Sequence, residues 1–153
     1  MEIKMIKILQ FGEGNFLRTF IEPYFQTLNE EGGRYEVTAV KPRSGKLSGA
    51  FALQDNRYHI VLRGVENGAA AEQVKEIDVL KEVFSLSEKR EKFFALAHEK
   101  ELMLIISNTT EAGIRFDESD VDRDLAERTY PAKLTEFLYE RYKAGLGGVY
   151  LLP

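Results

Sequence analysis

The chain has 153 residues, 44% of them hydrophobic and 30% charged, the balance of a single globular domain with its own core. Its net charge of −4 speaks against general nucleic-acid binding, which calls for a basic surface, so any phosphate must be met by local backbone donors and a few placed cations. Cysteine is absent, which excludes disulfides, thiolate metal sites and a cysteine nucleophile and suits a reducing cytoplasm.

In residues 1–7 the charges of Glu2, Lys4 and Lys7 break up the apolar side chains, unlike a signal peptide. No apolar run approaches the roughly 20 residues of a membrane span. Ile6–Phe11 is a short apolar run ending at Gly12 and predicts a buried strand. Phe16, Phe20, Tyr24 and Leu28 then recur every four residues, with Ile21 and Phe25 beside them, which predicts a helix burying that face. Pro23 should kink or split it, and Gly32 and Gly33 end it. Residues 35–40 alternate and are rich in β-formers, so strand, glycine turn, helix and strand follow in order, a βαβ unit.

Residues 41–56 read as a loop, with a short helix within 47–53. Residues 58–62 predict a strand, 64–68 a turn and 74–80 a weaker strand. Residues 87–100 predict a helix with Phe93, Phe94, Leu96 and Ala97 inward, and Ser85 to Glu88 has capping-box spacing at its start. Residues 102–106 are the strongest buried-strand signal. Pro131 opens a last helix at its first position, with Leu134, Phe137, Leu138 and Tyr142 as its apolar face and Gly145 at its end. Residues 149–152 read as a further strand. The fold expected is α/β, a Rossmann-like, mostly parallel sheet with helices on both faces. Because the chain stops in that apolar strand just after Gly147 and Gly148, residues 1–153 are expected to be an N-terminal portion of a longer protein.

The turn after the first strand carries the chemistry. A helix N-terminus offers unpaired N–H groups and a positive dipole end to a pyrophosphate. Glycine lets the backbone turn tightly and approach the phosphates. Gly12 and Gly14 fill the first two places of G-x-G-x-x-G, but Leu17 stands at the third, and a ligand-free strand-to-helix turn is the competing reading. Asn15 lies within this turn. Arg18, about one turn into the helix, is expected either to fold over the phosphates or to be a solvated arginine. Phe16 is expected in the core or as a wall for the adenosine side.

At the end of the second strand, NAD enzymes place an acid for the ribose 2′-hydroxyl. Lys41 and Arg43 stand there instead, which leans toward a 2′-phosphate, hence NADP, or else a solvated basic loop. Asn108, Thr109, Thr110 and Glu111 follow Ser107 at the carboxyl edge of the strongest strand, where ligands of parallel sheets bind; a helix N-cap cluster is the compatible alternative. His59 and His98 are isolated and suggest no metal site. Asp117, Asp120, Asp122 and Asp124 lack the glycine and closing glutamate of a calcium loop and read as solvated. Lys133 is the only lysine near the expected site edge, and its helical setting does not single it out, so no catalytic residue is assigned.

Gly12, Gly14, Phe16 and Arg18 fit G-x-G-x-F-x-R, and on these residues the chain resembles the long-chain polyol (mannitol) dehydrogenases. Ser107 to Gly113 resembles that family's second cofactor-contacting loop, and Tyr130 to Thr135 the helix after it. The resemblance implies NAD(H) as cofactor, with NADP left open by Lys41 and Arg43. It also implies interconversion of a keto-sugar acid and its alcohol, with sibling polyol substrates or a purely dinucleotide-binding regulatory domain as alternatives. The family's catalytic lysine, asparagine and histidine lie in a helical C-terminal domain, which residues 1–153 do not include.

Overall fold

The computed structural model describes residues 4–153, so the first three residues of the expected non-signal opening lie outside it. Strand β1 (Ile6–Phe11) is buried from Ile8 onward. Helical backbone starts at Asn15, passes through a π-helical turn at Leu17–Ile21 and continues as α1 (Glu22–Glu30). Strand β2 (Tyr35–Lys41) and the short helix α2 (Ala50–Leu53) follow. Next come β3 (Tyr58–Glu66), β4 (Ala69–Ile77) and β5 (Leu80–Ser85). Helix α3 (Arg90–Ala97), β6 (Leu102–Ser107), α4 (Tyr130–Lys143) and β7 (Tyr150–Leu152) complete the order.

The main sheet has the order β5-β2-β1-β6-β7, and every pairing in it is parallel. Side chains alternate across it. Leu9, Phe11, Val40 and Phe84 pack with Phe93 of α3 and Phe137 of α4 on one face. Ile8, Val37, Ala39 and Ile106 pack with Leu17 and Phe25 on the other. This is the expected α/β Rossmann architecture, helices on both faces of a parallel sheet. Among the described residues no helix is long and apolar enough to cross a membrane.

Three regions differ from the sequence reading. First, β3 and β4 form a separate antiparallel hairpin, closed by Asn67 and Gly68 at φ +51° and +80°. Two positive φ values are what a tight primed turn requires, so the turn sits at 67–68 and Gly64 lies inside a strand. The expected strand at 74–80 divides into the end of β4 and the start of β5, an edge strand of the main sheet that the sequence did not reveal.

Second, Phe16, Phe20 and Tyr24 are 49%, 66% and 62% exposed, while Leu17, Glu22 and Phe25 are buried. The π turn explains this. The Glu22 N–H bonds the Leu17 carbonyl, five residues back, which adds a residue to the turn and shifts the phase of the inward face. Pro23 follows in the first turn of α1 and has no N–H to give to the preceding turn, where the Arg18 carbonyl accepts from the Tyr58 hydroxyl instead.

Third, α4 buries Lys133, Phe137 and Arg141, whereas Tyr142 is 76% exposed. Arg141 is accommodated because its guanidinium donates to the carbonyls of Glu99 (2.7 Å), Gly147 (2.8 Å), Ala97 (3.0 Å) and Leu102 (3.3 Å). Pro131 occupies the second helical position, after Tyr130. The expected capping box is not formed: Ser85 ends β5 and its Oγ meets Gly45 O and Ser87 Oγ, and α3 starts later without a side-chain cap.

Candidate functional site

Gly12 adopts φ +112°, a conformation that side chains resist, and its N–H donates to Val40 O at 2.8 Å. That bond lays the turn against the end of β2. A Cβ on Gly14 would meet nothing within 4 Å, so the space over the turn is open. The first helical bond runs from Arg18 N to Gly14 O (3.3 Å), so the N–H groups of Asn15, Phe16 and Leu17 precede it and are left for an outside acceptor. Oriented donors at the positive end of a helix suit an anion such as a pyrophosphate.

A buried network holds this turn from beneath. Gln10 Nε2 donates to Gly12 O (2.9 Å) and to Glu22 Oε1 (2.8 Å). Burial raises the Glu22 carboxyl above its usual range, opposed by the hydrogen bonds from Gln10 and Tyr58.

Two adjoining hollows lie along the carboxyl edge of the sheet, of about 360 Å³ and 560 Å³. Phe11, Gly12, Pro42, Arg43 and Asn108 border both. They straddle the point between β1 and β6 where the strand order reverses, the usual ligand crevice of open parallel sheets. Their sizes fall in the ordinary range for small-molecule sites.

The smaller hollow brings together Gly12, Gly14, Asn15, Phe16, Lys41, Arg43 and Asn108; Thr109 and Thr110 line the larger. Phe16, half-exposed and stacked on Phe20 at 5.1 Å, is therefore a wall and not core. Arg18 and Glu111 line neither hollow. Arg18 flanks the turn, its Nη2 bonded to Asn15 Oδ1 (2.6 Å) and its guanidinium over the rings of Phe51 (5.5 Å) and Tyr58 (5.9 Å). Glu111 is exposed at the start of a 3₁₀ turn, Glu111–Gly113, which has no side-chain cap, so the N-cap role expected of this cluster is not seen. Ser107, by contrast, is buried, with an Oγ that has no partner.

Three groups escaped the sequence reading. Glu13, between the glycines, forms an ion pair with Lys41 at 3.3 Å; nothing in the local sequence couples two residues so far apart. Lys133 is buried at the edge of the larger hollow, its Nζ donating to Arg128 O. Burial lowers its pKa to about 8, with Arg43 adding to the effect and Asp120 opposing it. Its four-residue spacing from Phe137 and Arg141 was the signal that could have placed it inside. Asp120 is buried and accepts from Thr129 N (3.0 Å) and Oγ1 (2.5 Å), so the acidic stretch is partly structural and not simply solvated. Neighbouring Asp117 accepts from Ser119 N and Oγ, which holds its carboxyl down at about 2.

A family model described as the mannitol dehydrogenase Rossmann domain matches residues 6–146. The chain is 41% identical over 152 residues to an altronate oxidoreductase of Bacillus subtilis, covering 96% of this chain and 32% of that protein. It is 38% identical over 138 residues to an altronate oxidoreductase of Phocaeicola vulgatus, covering 90% and 29%. The chain thus spans about a third of the length of these relatives. Among solved structures, a substrate-free D-sorbitol dehydrogenase superposes with a TM-score of 0.79 at 19% identity, over 97% of this chain and 34% of that one. The mannitol 2-dehydrogenase of Pseudomonas fluorescens, in ternary complex with NAD and D-mannitol, gives 0.78 at 17% identity, over 97% and 33%. At such identities the two structures speak for the fold.

Proposed function

The chain belongs to the mannitol dehydrogenase family as its Rossmann domain, and from that premise we propose that it binds NAD(H) for the interconversion of tagaturonate and altronate. The observation that carries the dinucleotide is the glycine turn: an open approach over Gly14, unpaired N–H groups at Asn15, Phe16 and Leu17, and a cleft at the strand-order switch. The cleft residues named above fit such a ligand. Backbone donors at the turn take the pyrophosphate. Asn108, Thr109 and Thr110 offer small amide and hydroxyl groups to the far half. Arg18 braces the turn through Asn15. NAD, when bound, supplies or takes up a hydride.

The sugar acid is supported by the names of the relatives. The groups that handle its proton belong, on this reading, to a C-terminal helical part of a longer, cytoplasmic polypeptide. Calorimetry of this chain with NADH tests the first half of the proposal: no detectable binding sinks it. Turnover by the longer polypeptide of tagaturonate, fructuronate and fructose with NADH tests the second. Tagaturonate is expected to react fastest, and a preference for either rival overturns the substrate.

A further inference from the structure

Strand β2 ends on Lys41 and runs into Pro42 and Arg43, with no acid where a dinucleotide's adenosine ribose ordinarily finds one. The acid at that place comes from the glycine turn. The bond from Gly12 N–H to Val40 O sets the turn beside the end of β2. It thereby carries Glu13 onto Lys41, Oε1 to Nζ 3.3 Å, with side chains only 26% and 24% exposed. Both residues line the smaller hollow, next to Gly14 and its open approach.

We propose that Glu13 reads the 2′-hydroxyl of the adenosine ribose and, positioned by Lys41, turns the site away from a 2′-phosphate. This rests on the dinucleotide reading above and adds to it the residue that chooses between the two cofactors. An ionised carboxylate only accepts hydrogen bonds, so it suits a hydroxyl and repels a phosphate. Lys41 has a double part. It holds the carboxylate in place, and it cancels a negative charge that would otherwise stand beside the pyrophosphate. The same pairing occupies the half-buried cation at this strand end, which would otherwise have served a 2′-phosphate. Arg43 stays exposed at the rim.

The test is calorimetry with NADH, NADPH and 2′-deoxy-NADH on the wild-type chain and on Glu13→Gln, whose fold is checked by circular dichroism. The wild type is expected to bind NADH at least about tenfold more tightly than either other probe, the worth of one charge-assisted hydrogen bond. Glu13→Gln should narrow the NADH-to-NADPH gap by about the same factor. A variant that leaves that ratio within about twofold, or that weakens both cofactors equally, overturns the proposal and leaves the pair a structural part in the turn. If Glu13→Gln does not fold, the wild type decides alone: equal affinity for NADH and 2′-deoxy-NADH overturns it. Failure of the wild type to bind any of the three overturns the dinucleotide reading itself.

Discussion

The hydroxyl of Tyr58 lies 2.7 Å from Glu22 Oε2 and 2.7 Å from the carbonyl oxygen of Arg18. It ties the first residue of the hairpin to the helix that carries the glycine turn. Glu22 is fully buried, so its carboxyl depends on this donor and on Gln10. Tyr58→Phe keeps the ring and removes the donor. We expect a loss of about 1–3 kcal/mol in urea unfolding, the cost of a buried polar group left short of a partner. Unchanged stability refutes the network.

Lys133 makes stability depend on pH in a window that can be stated. Its native pKa is lowered to about 8 from 10.5, chiefly by burial. Below about 8 the ammonium is charged in both states and its burial penalty is felt in full. Between 8 and 10.5 the unfolded chain holds more protons than the native one, so stability rises with pH. The rise attributable to this residue is up to about 3 kcal/mol. Lys133→Met should lose it. Parallel slopes for wild type and variant in urea titrations across this window contradict the assignment.

The two glycines of the turn should respond differently to a side chain. Gly12 sits at positive φ with Leu17 Cδ1 at 3.4 Å from an added Cβ, so Gly12→Val is expected to cost about 1–3 kcal/mol of stability. Gly14→Val faces open space and has no such φ, so it should keep the wild-type Tm within a few degrees (about 1 kcal/mol) while abolishing NADH binding. Scanning calorimetry and titration separate the two, and a Gly14→Val chain that binds normally defeats the turn's assignment.

Arg141 is a buried charge stitched to carbonyls from three segments. Arg141→Met strands those acceptors and should destabilise the chain by roughly 3 kcal/mol or more, read as a fall in the urea midpoint. A change below about 1 kcal/mol, the size of a surface substitution, counts against its structural part.

What the sequence disclosed and what it withheld follows from the range of the forces involved. Strands β1 and β6 were legible because both faces of a central parallel strand are covered, so Ile8 with Leu9 and Ile105 with Ile106 stand in short apolar runs, and β2 because its β-forming residues alternate. β5 was not, because on the sheet's edge Lys81 and Glu82 interrupt its apolar pattern. The turn read at 64–68 contains the reversal at Asn67 and Gly68, but with a glycine at each end it was drawn too wide and the hairpin itself went unread. Of the candidate site, the residues contributed by backbone geometry were readable, Gly12 and Gly14 above all. Glu13 with Lys41 was not, because the partner comes from another strand, whereas the burial of Lys133 was written in its four-residue spacing from Phe137 and Arg141.

The π turn at Leu17–Ile21 has a consequence for how this helix tolerates change. Residues five apart on a regular α-helix point about 140° away from each other. Here Leu17 and Glu22 are both buried, because the extra residue winds the chain back into line. The coil therefore contains a swivel. Its leading end can be set by what the glycines must grip, and its trailing end by what the sheet must cover. Removing one residue between Leu17 and Glu22 would set them four apart, close to one full turn of a regular α-helix, so both would still face inward with Phe25, and the turn would lose only its extra residue.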